Sequence, residues 1–214
     1  MHNTKIFNVY NVTFFISNLQ LNIEDVKKDI IRLPKFCFLE VNKVYIYNAE
    51  DLDNYDLDSS YGHRIVKIDS SKIASRKDLV KTLIHELYHS IQDQIKEKFN
   101  EQFEKVCFEY LVKKKKILDI FKSDSRFTPP EPSFYTALFY NEKFDDYLYN
   151  IIGYNVINNR LKDYFPSSYS MTSIDEYIAT CFEIFYFENQ KWLSIYCPEV
   201  FDLIKTIGSY EKEN

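Results

Sequence analysis

His85-Glu86-Leu87-Tyr88-His89 is the stretch on which the reading of this chain turns. It has the form H-E-x-x-H and uses two of only four histidines in 214 residues. On a helix, residues i and i+4 share a face, with Cβ atoms about 5–6 Å apart. Two imidazoles so placed can share one Zn²⁺ through nitrogens at about 2.0–2.1 Å. A glutamate beside the first histidine then stands next to the metal's open coordination position. There it can take a proton from water and pass it on. On a helix this pattern is a zinc-protease signature. The bland alternative is a helix that carries two histidines by chance, with Glu86 solvated.

The flanking residues favour a helix. Ser75-Arg76-Lys77-Asp78 reads as a capping box, with Ser75 as N-cap and Asp78 at the third helical position. Beyond it, Val80, Leu83, Ile84, Leu87 and Ile91 recur at helical spacing. Asp78, Thr82, His85, His89, Gln92 and Asp93 gather on another face, and neither Gly nor Pro interrupts the run from Ser75 to Phe99. One face is built for a core and the other is free to hold a metal.

A catalytic zinc wants a third protein ligand and one open position. His2 lies at a terminus and His63 in a glycine-containing turn, so both are weak candidates. The better one lies in Ser173-Ile174-Asp175-Glu176-Tyr177-Ile178-Ala179-Thr180-Cys181-Phe182-Glu183. Ser173 and Glu176 repeat the capping-box pattern. Ile174, Tyr177, Ile178, Cys181 and Phe185 form an apolar stripe, while Glu176, Ala179, Thr180 and Glu183 share a different face. Small residues on that face permit close approach to the His helix with a carboxylate aimed at the metal. Spacing alone leaves two readings of Glu176 open, a metal ligand or the cap of its own helix.

Leu33 to Asp93 together with Tyr169 to Phe187 resembles the protease domain of anthrax toxin lethal factor and its relatives, a family that includes the secreted Pro-Pro endopeptidases. These are gluzincins: two ligands come from H-E-x-x-H and a glutamate from a later helix. In the family that glutamate opens a stretch of the type E-[FY]-x-A-x-x-F. Glu176-Tyr177-Ile178-Ala179-Thr180-Cys181-Phe182 fits it. The family also has a tyrosine seven residues before the glutamate, whose hydroxyl stabilises the oxyanion, and Tyr169 stands at that offset. The resemblance implies that His85, His89 and Glu176 are ligands to one zinc, Glu86 the general base and Tyr169 the oxyanion donor. It departs from the family in two places. Relatives usually carry Gly before the second histidine, where this chain has Tyr88, and the interval from His89 to Glu176 is longer. A helical insertion around residues 100 to 150 of a single domain accounts for the longer interval.

Composition fits a globular enzyme domain: 45% hydrophobic and 17% aromatic residues supply a core. Three glycines leave no glycine-rich phosphate loop. A net charge of −5 disfavours nucleic acid or an anionic membrane surface as the main partner. Lys113 to Lys116 form the one basic block and read as a solvated helix face. Cys37, Cys107, Cys181 and Cys197 lack C-x-x-C spacing and read as buried free thiols. No secretory signal or bilayer-length apolar run is evident. The expectation is a cytoplasmic protein, or one exported without a recognisable signal peptide.

The remaining pattern predicts a strand over 6–17, a helix over 23–32 stopped by Pro34, one or two strands over 36–47, and a loop over 48–61. That loop carries an acidic cluster (Glu50, Asp51, Asp53, Asp56, Asp58) without EF-hand spacing. Arg64 to Asp69 reads as a strand. In zinc peptidases of this type that strand is commonly the sheet edge, which binds an extended peptide or protein substrate by strand addition, here along Arg64 to Ile68. Helices follow over 100–121, 142–163 and 174–188, with a loop or hinge over 123–133 and a last helix over 200–207 stopped by Gly208.

The fold expected is α+β and zincin-like, a short mixed sheet packed on the H-E-x-x-H helix and followed by a mainly helical C-terminal half. The activity expected is zinc-dependent peptide hydrolysis, by a toxin-like effector or by a cytoplasmic regulatory peptidase that cuts a repressor. The competing class is an inactive interaction module with a structural zinc closed by a fourth ligand, for which His63 is the one histidine available.

Overall fold

The computed structural model describes residues 4–17, 21–48, 59–160 and 164–213. His2, the acidic cluster between Glu50 and Asp58, and the 161–163 end of the expected helix lie outside them. The chain is α+β and divides into two compact units, Met1–Gln94 and Ile95–Asn214.

The first unit holds a mixed five-stranded sheet in the order β1-β2-β3-β5-β4. Its strands are β1 (Lys5–Val9), β2 (Val12–Ile16), β3 (Lys43–Tyr47), β4 (Ser59–Gly62) and β5 (Ile65–Asp69). The 6–17 stretch is therefore a hairpin, not one strand. Tyr10 takes a left-handed φ of 52° in the two-residue link between Val9 and Val12. Its hydroxyl donates to the carbonyls of Ile31 (2.9 Å) and Leu33 (3.1 Å), which anchors this strained residue. β2 then runs parallel to β3, a pairing that needs a crossover. Helix α1 (Ile23–Ile31) supplies it, with the Asn22 side chain accepting from the Glu24 amide at its start.

After Pro34 the chain makes a 3-10 turn, Lys35–Phe38, where a strand was also admissible. Proline fixes φ at −59°, and its carbonyl accepts the Cys37 amide at 3.2 Å, which starts a turn in place of a ladder. Strand alternation places Phe14, Val44 and Val66 in one cross-strand row and Ile16, Ile46 and Ile68 in the next. All six are buried. Each such side chain contributes about 1.5–3 kcal/mol through removal from water.

β5 is not the sheet edge. His63 (φ 50°) and Arg64 (φ 62°) form a two-residue turn that sends β4 back antiparallel along it. With β3 parallel on its other side, Arg64 to Ile68 offers no open ladder to a substrate strand. The edge on that side is β4.

Helix α2 (Arg76–Lys98) follows. Ser75 caps it, its Oγ accepting from the Asp78 amide at 3.1 Å while the hydroxyl donates to Asp78 Oδ2 at 2.8 Å. Leu79, Val80, Leu83, Ile84, Leu87 and Ile91 are buried, as their spacing predicts.

The second unit is helical. It comprises α3 (Asn100–Ser123), α4 (Glu142–Asp146), α5 (Tyr154–Arg160), α6 (Ile174–Phe187), α7 (Gln190–Tyr196) and α8 (Pro198–Glu213). The helix expected over 142–163 is broken: a π-helical turn, Tyr147–Ile152, ends at Gly153, whose φ of 86° suits glycine. α7 was missed because Asn189 and Pro198 bracket only seven residues. α8 starts earlier than expected and passes through Gly208, since an interior glycine costs a helix only about 1 kcal/mol. The loop from Asp124 onward is present, with Asp124 held by Arg126 at 2.6 Å and Arg160 at 3.1 Å.

The basic block is not a solvated face. Lys113 and Lys114 are buried and only Lys115 and Lys116 are exposed. Helical phase puts Lys113 between Tyr110 and Ile117 on the buried side of α3. Among the described residues no helix is long and apolar enough to cross a membrane.

Candidate metal centre

His85 and His89 lie one turn apart on α2, their ring centroids 4.9 Å apart and inclined at 69°. Both residues are half-buried. His89 Nδ1 lies 3.2 Å from Gln92 Oε1. An amide oxygen can only accept, so this contact puts the proton on Nδ1 and leaves Nε2 as the acceptor nitrogen of the ring. Such an orienting partner is usual for metal-binding histidines. Sequence reading placed Gln92 on the polar face and gave it no role. Its i+3 offset from His89 was the available signal.

Glu86 is buried, at 5% exposure. Tyr88 is fully buried, with its ring centroid 5.7 Å from that of His89. The bulk is thus accommodated inside the protein.

Glu176 lies in the first turn of α6. Ser173 is the N-cap, its Oγ accepting from the Glu176 amide at 3.1 Å. The Glu176 carbonyl accepts from Thr180 Oγ1 at 2.8 Å. The neighbouring Asp175 pairs with Lys96, near the end of α2, at 3.0 Å. One nitrogen each from His85 and His89 and one carboxylate oxygen of Glu176 all lie within 4.8 Å of one another. Two imidazoles and a carboxylate are a donor set that zinc accepts. Among the described residues no fourth His, Cys, Asp or Glu joins them. His63 is exposed in the β4–β5 turn and is not part of the group.

Tyr169 opens a 3-10 turn, Tyr169–Met171, and is 44% exposed. Its carbonyl accepts from the amide (2.9 Å) and the hydroxyl (2.8 Å) of Thr172, which fixes the turn just before α6. The ring lines a cavity of about 870 Å³ together with Phe134, Tyr140, Asp145 and Tyr154. Comparison with family models, curated proteins and solved structures finds no match for this chain.

Proposed function

We propose that this protein is a zinc-dependent endopeptidase of the zincin type, with one Zn²⁺ held by His85, His89 and Glu176. The observation that carries the reading is the convergence of those three ligand atoms within 4.8 Å. Three candidate ligands, with no fourth among the described residues, fit the pattern of a catalytic site, whereas structural zinc sites are closed. The resemblance to the lethal factor and Pro-Pro endopeptidase family points the same way.

Bound zinc would supply Lewis-acid polarisation of the scissile carbonyl and a water made acidic enough to react near neutral pH. Glu86 takes a proton from the attacking water and returns it to the leaving amine. Its burial keeps bulk water from competing for that proton. Gln92 holds the His89 ring through Nδ1, which leaves Nε2 as the nitrogen that would take the metal. Tyr169 donates its phenolic proton as a hydrogen bond to the developing oxyanion. Tyr169 is 44% exposed in its 3-10 turn, as a group that meets a substrate must be at least in part.

The test is cleavage of a peptide library by the zinc-loaded protein, with Glu86→Gln as control. Wild type should cleave, lose activity to a chelator and regain it with zinc. The Gln variant should bind zinc and leave the library intact. A variant as active as wild type would remove Glu86 from the mechanism.

A further inference from the structure

The cavity of about 870 Å³ beside Tyr169 lies wholly within the helical unit and includes none of the three metal ligands. Its wall is built around the π-helical turn Tyr147–Ile152, from which Tyr147, Tyr149, Asn150 and Ile151 line the space. Turns of this kind are rare and occur frequently at functional sites. Phe134, Tyr140 and Tyr154 add further rings, and α4 adds charge.

Two properties of that wall select a ligand. The first is exposed aromatic surface. Tyr140 and Tyr149 are 56% and 63% exposed, so their rings are open to a partner. The Tyr149 and Tyr154 rings stand 5.4 Å apart at 79° and make a corner. A cation lodged in such a corner can lie within about 6 Å of both centroids, the range over which a ring face attracts it. The second property is charge. Glu131, Glu142, Asp145 and Asp146 line the cavity against a single ammonium, that of Lys143. A wall of that sign gathers cations and turns anions away.

The hydrogen bonds of the wall narrow the choice of cation. Asp145 already accepts from two phenols, Tyr154 at 2.5 Å on Oδ1 and Tyr140 at 3.2 Å on Oδ2. Burial, and after it the hydrogen bond to Asp145, holds the Tyr154 phenol well above its usual range, so it stays a neutral donor. The Tyr147 hydroxyl donates to the Thr128 carbonyl at 3.0 Å, and Asn150 Nδ2 donates to Asp146 Oδ1 at 2.6 Å. A primary ammonium brings three N–H donors that need acceptors once they leave water, and must compete with these contacts. A quaternary ammonium brings none, and is held by ring faces and unsatisfied negative charge alone.

We propose that this cavity binds a quaternary-ammonium group, seated in the corner between Tyr149 and Tyr154 and balanced by the carboxylates around Asp145. The cavity is much larger than a trimethylammonium head, so the head belongs to a bigger molecule. A choline- or betaine-type metabolite and a trimethylated lysine side chain share that chemistry. The assignment does not depend on zinc.

The experiment is calorimetric titration of the full chain with tetramethylammonium chloride and, separately, methylammonium chloride, at matched ionic strength. Tetramethylammonium should bind saturably at one site, about 5-fold or more tighter than methylammonium. Tyr149→Leu keeps apolar bulk at an exposed position and removes the ring face. It should weaken tetramethylammonium about 3–30-fold, with circular dichroism unchanged. Choline and a trimethyllysine peptide then compete for the same site, and the tighter of the two identifies the source. The proposal is overturned by any of four results: no saturable binding, methylammonium bound as tightly, affinity unchanged in Tyr149→Leu, or displacement by neither competitor.

Discussion

Helices α2 and α3 have nearly equal length, 23 and 24 residues, and both draw ionisable side chains away from bulk water. They do so to different ends. On α2 the histidines are half-buried and their ligand atoms converge with that of Glu176. On α3 the charge is closed in: Lys113 has its ammonium among Glu109, Tyr177, Cys197 and the Tyr196 carbonyl. A polar group that stays within reach of solvent is available to a ligand. One that is enclosed and saturated by its own protein mainly specifies packing, and removing one partner leaves an uncompensated charge.

This contrast can be broken from either side. The largest effect belongs to α2. Glu86→Gln should lower peptide turnover by about 10²–10⁴-fold with zinc content unchanged. Tyr169→Phe should cost about 10²-fold in turnover with little change in KM, and a fully active Phe variant would remove the phenol from the mechanism.

On α3 the readout is stability. Lys113→Met removes the cation paired with the largely enclosed Glu109 carboxylate and should destabilise the fold by about 3 kcal/mol in chemical denaturation. A loss near zero would mean that the cluster is wetter than its geometry implies.

Lys114 gives a smaller, pH-dependent effect. Burial pushes its ammonium down from 10.5 to about 7. Its Nζ donates to the Ala137 carbonyl at 2.8 Å and sits 3.9 Å from the Phe144 ring centroid. Below about pH 7 folded and unfolded chains both carry the proton, so the cost of the buried charge is present in full. Between about 7 and 10.5 the unfolded chain keeps the proton that the folded chain has released, so this group's contribution to stability rises with pH. Lys114→Met should flatten that rise in Tm against pH. An unchanged slope would assign it to other groups.

The two helices also differ in how legible they were. The α2 motif declared itself by residue type at fixed spacing, and its cap, apolar stripe and polar face all lay within one window. Glu176 was legible as the first-turn residue of another capped helix, but spacing could not choose between cap and ligand. That choice depends on tertiary placement, which local sequence does not encode. Lys113 and Lys114 were misread because a run of lysines suggests solvent by composition. Phase was the better guide, since Val106, Tyr110, Lys113, Ile117 and Phe121 recur at helical intervals. The position of β5 was misassigned for a similar reason. His63 and Arg64 are uncommon at left-handed φ, so the turn that adds β4 carried no Asn-Gly or Gly-Gly signal.

The most direct test of the proposed metal centre is the zinc content of purified protein after reconstitution, in wild type and in Glu176→Ala, with circular dichroism to confirm the fold. One zinc per chain in wild type, with markedly weaker retention in the variant, is the expected result. No zinc in wild type, or equal retention in both proteins, would contradict the His85–His89–Glu176 centre and move the protein toward an interaction module.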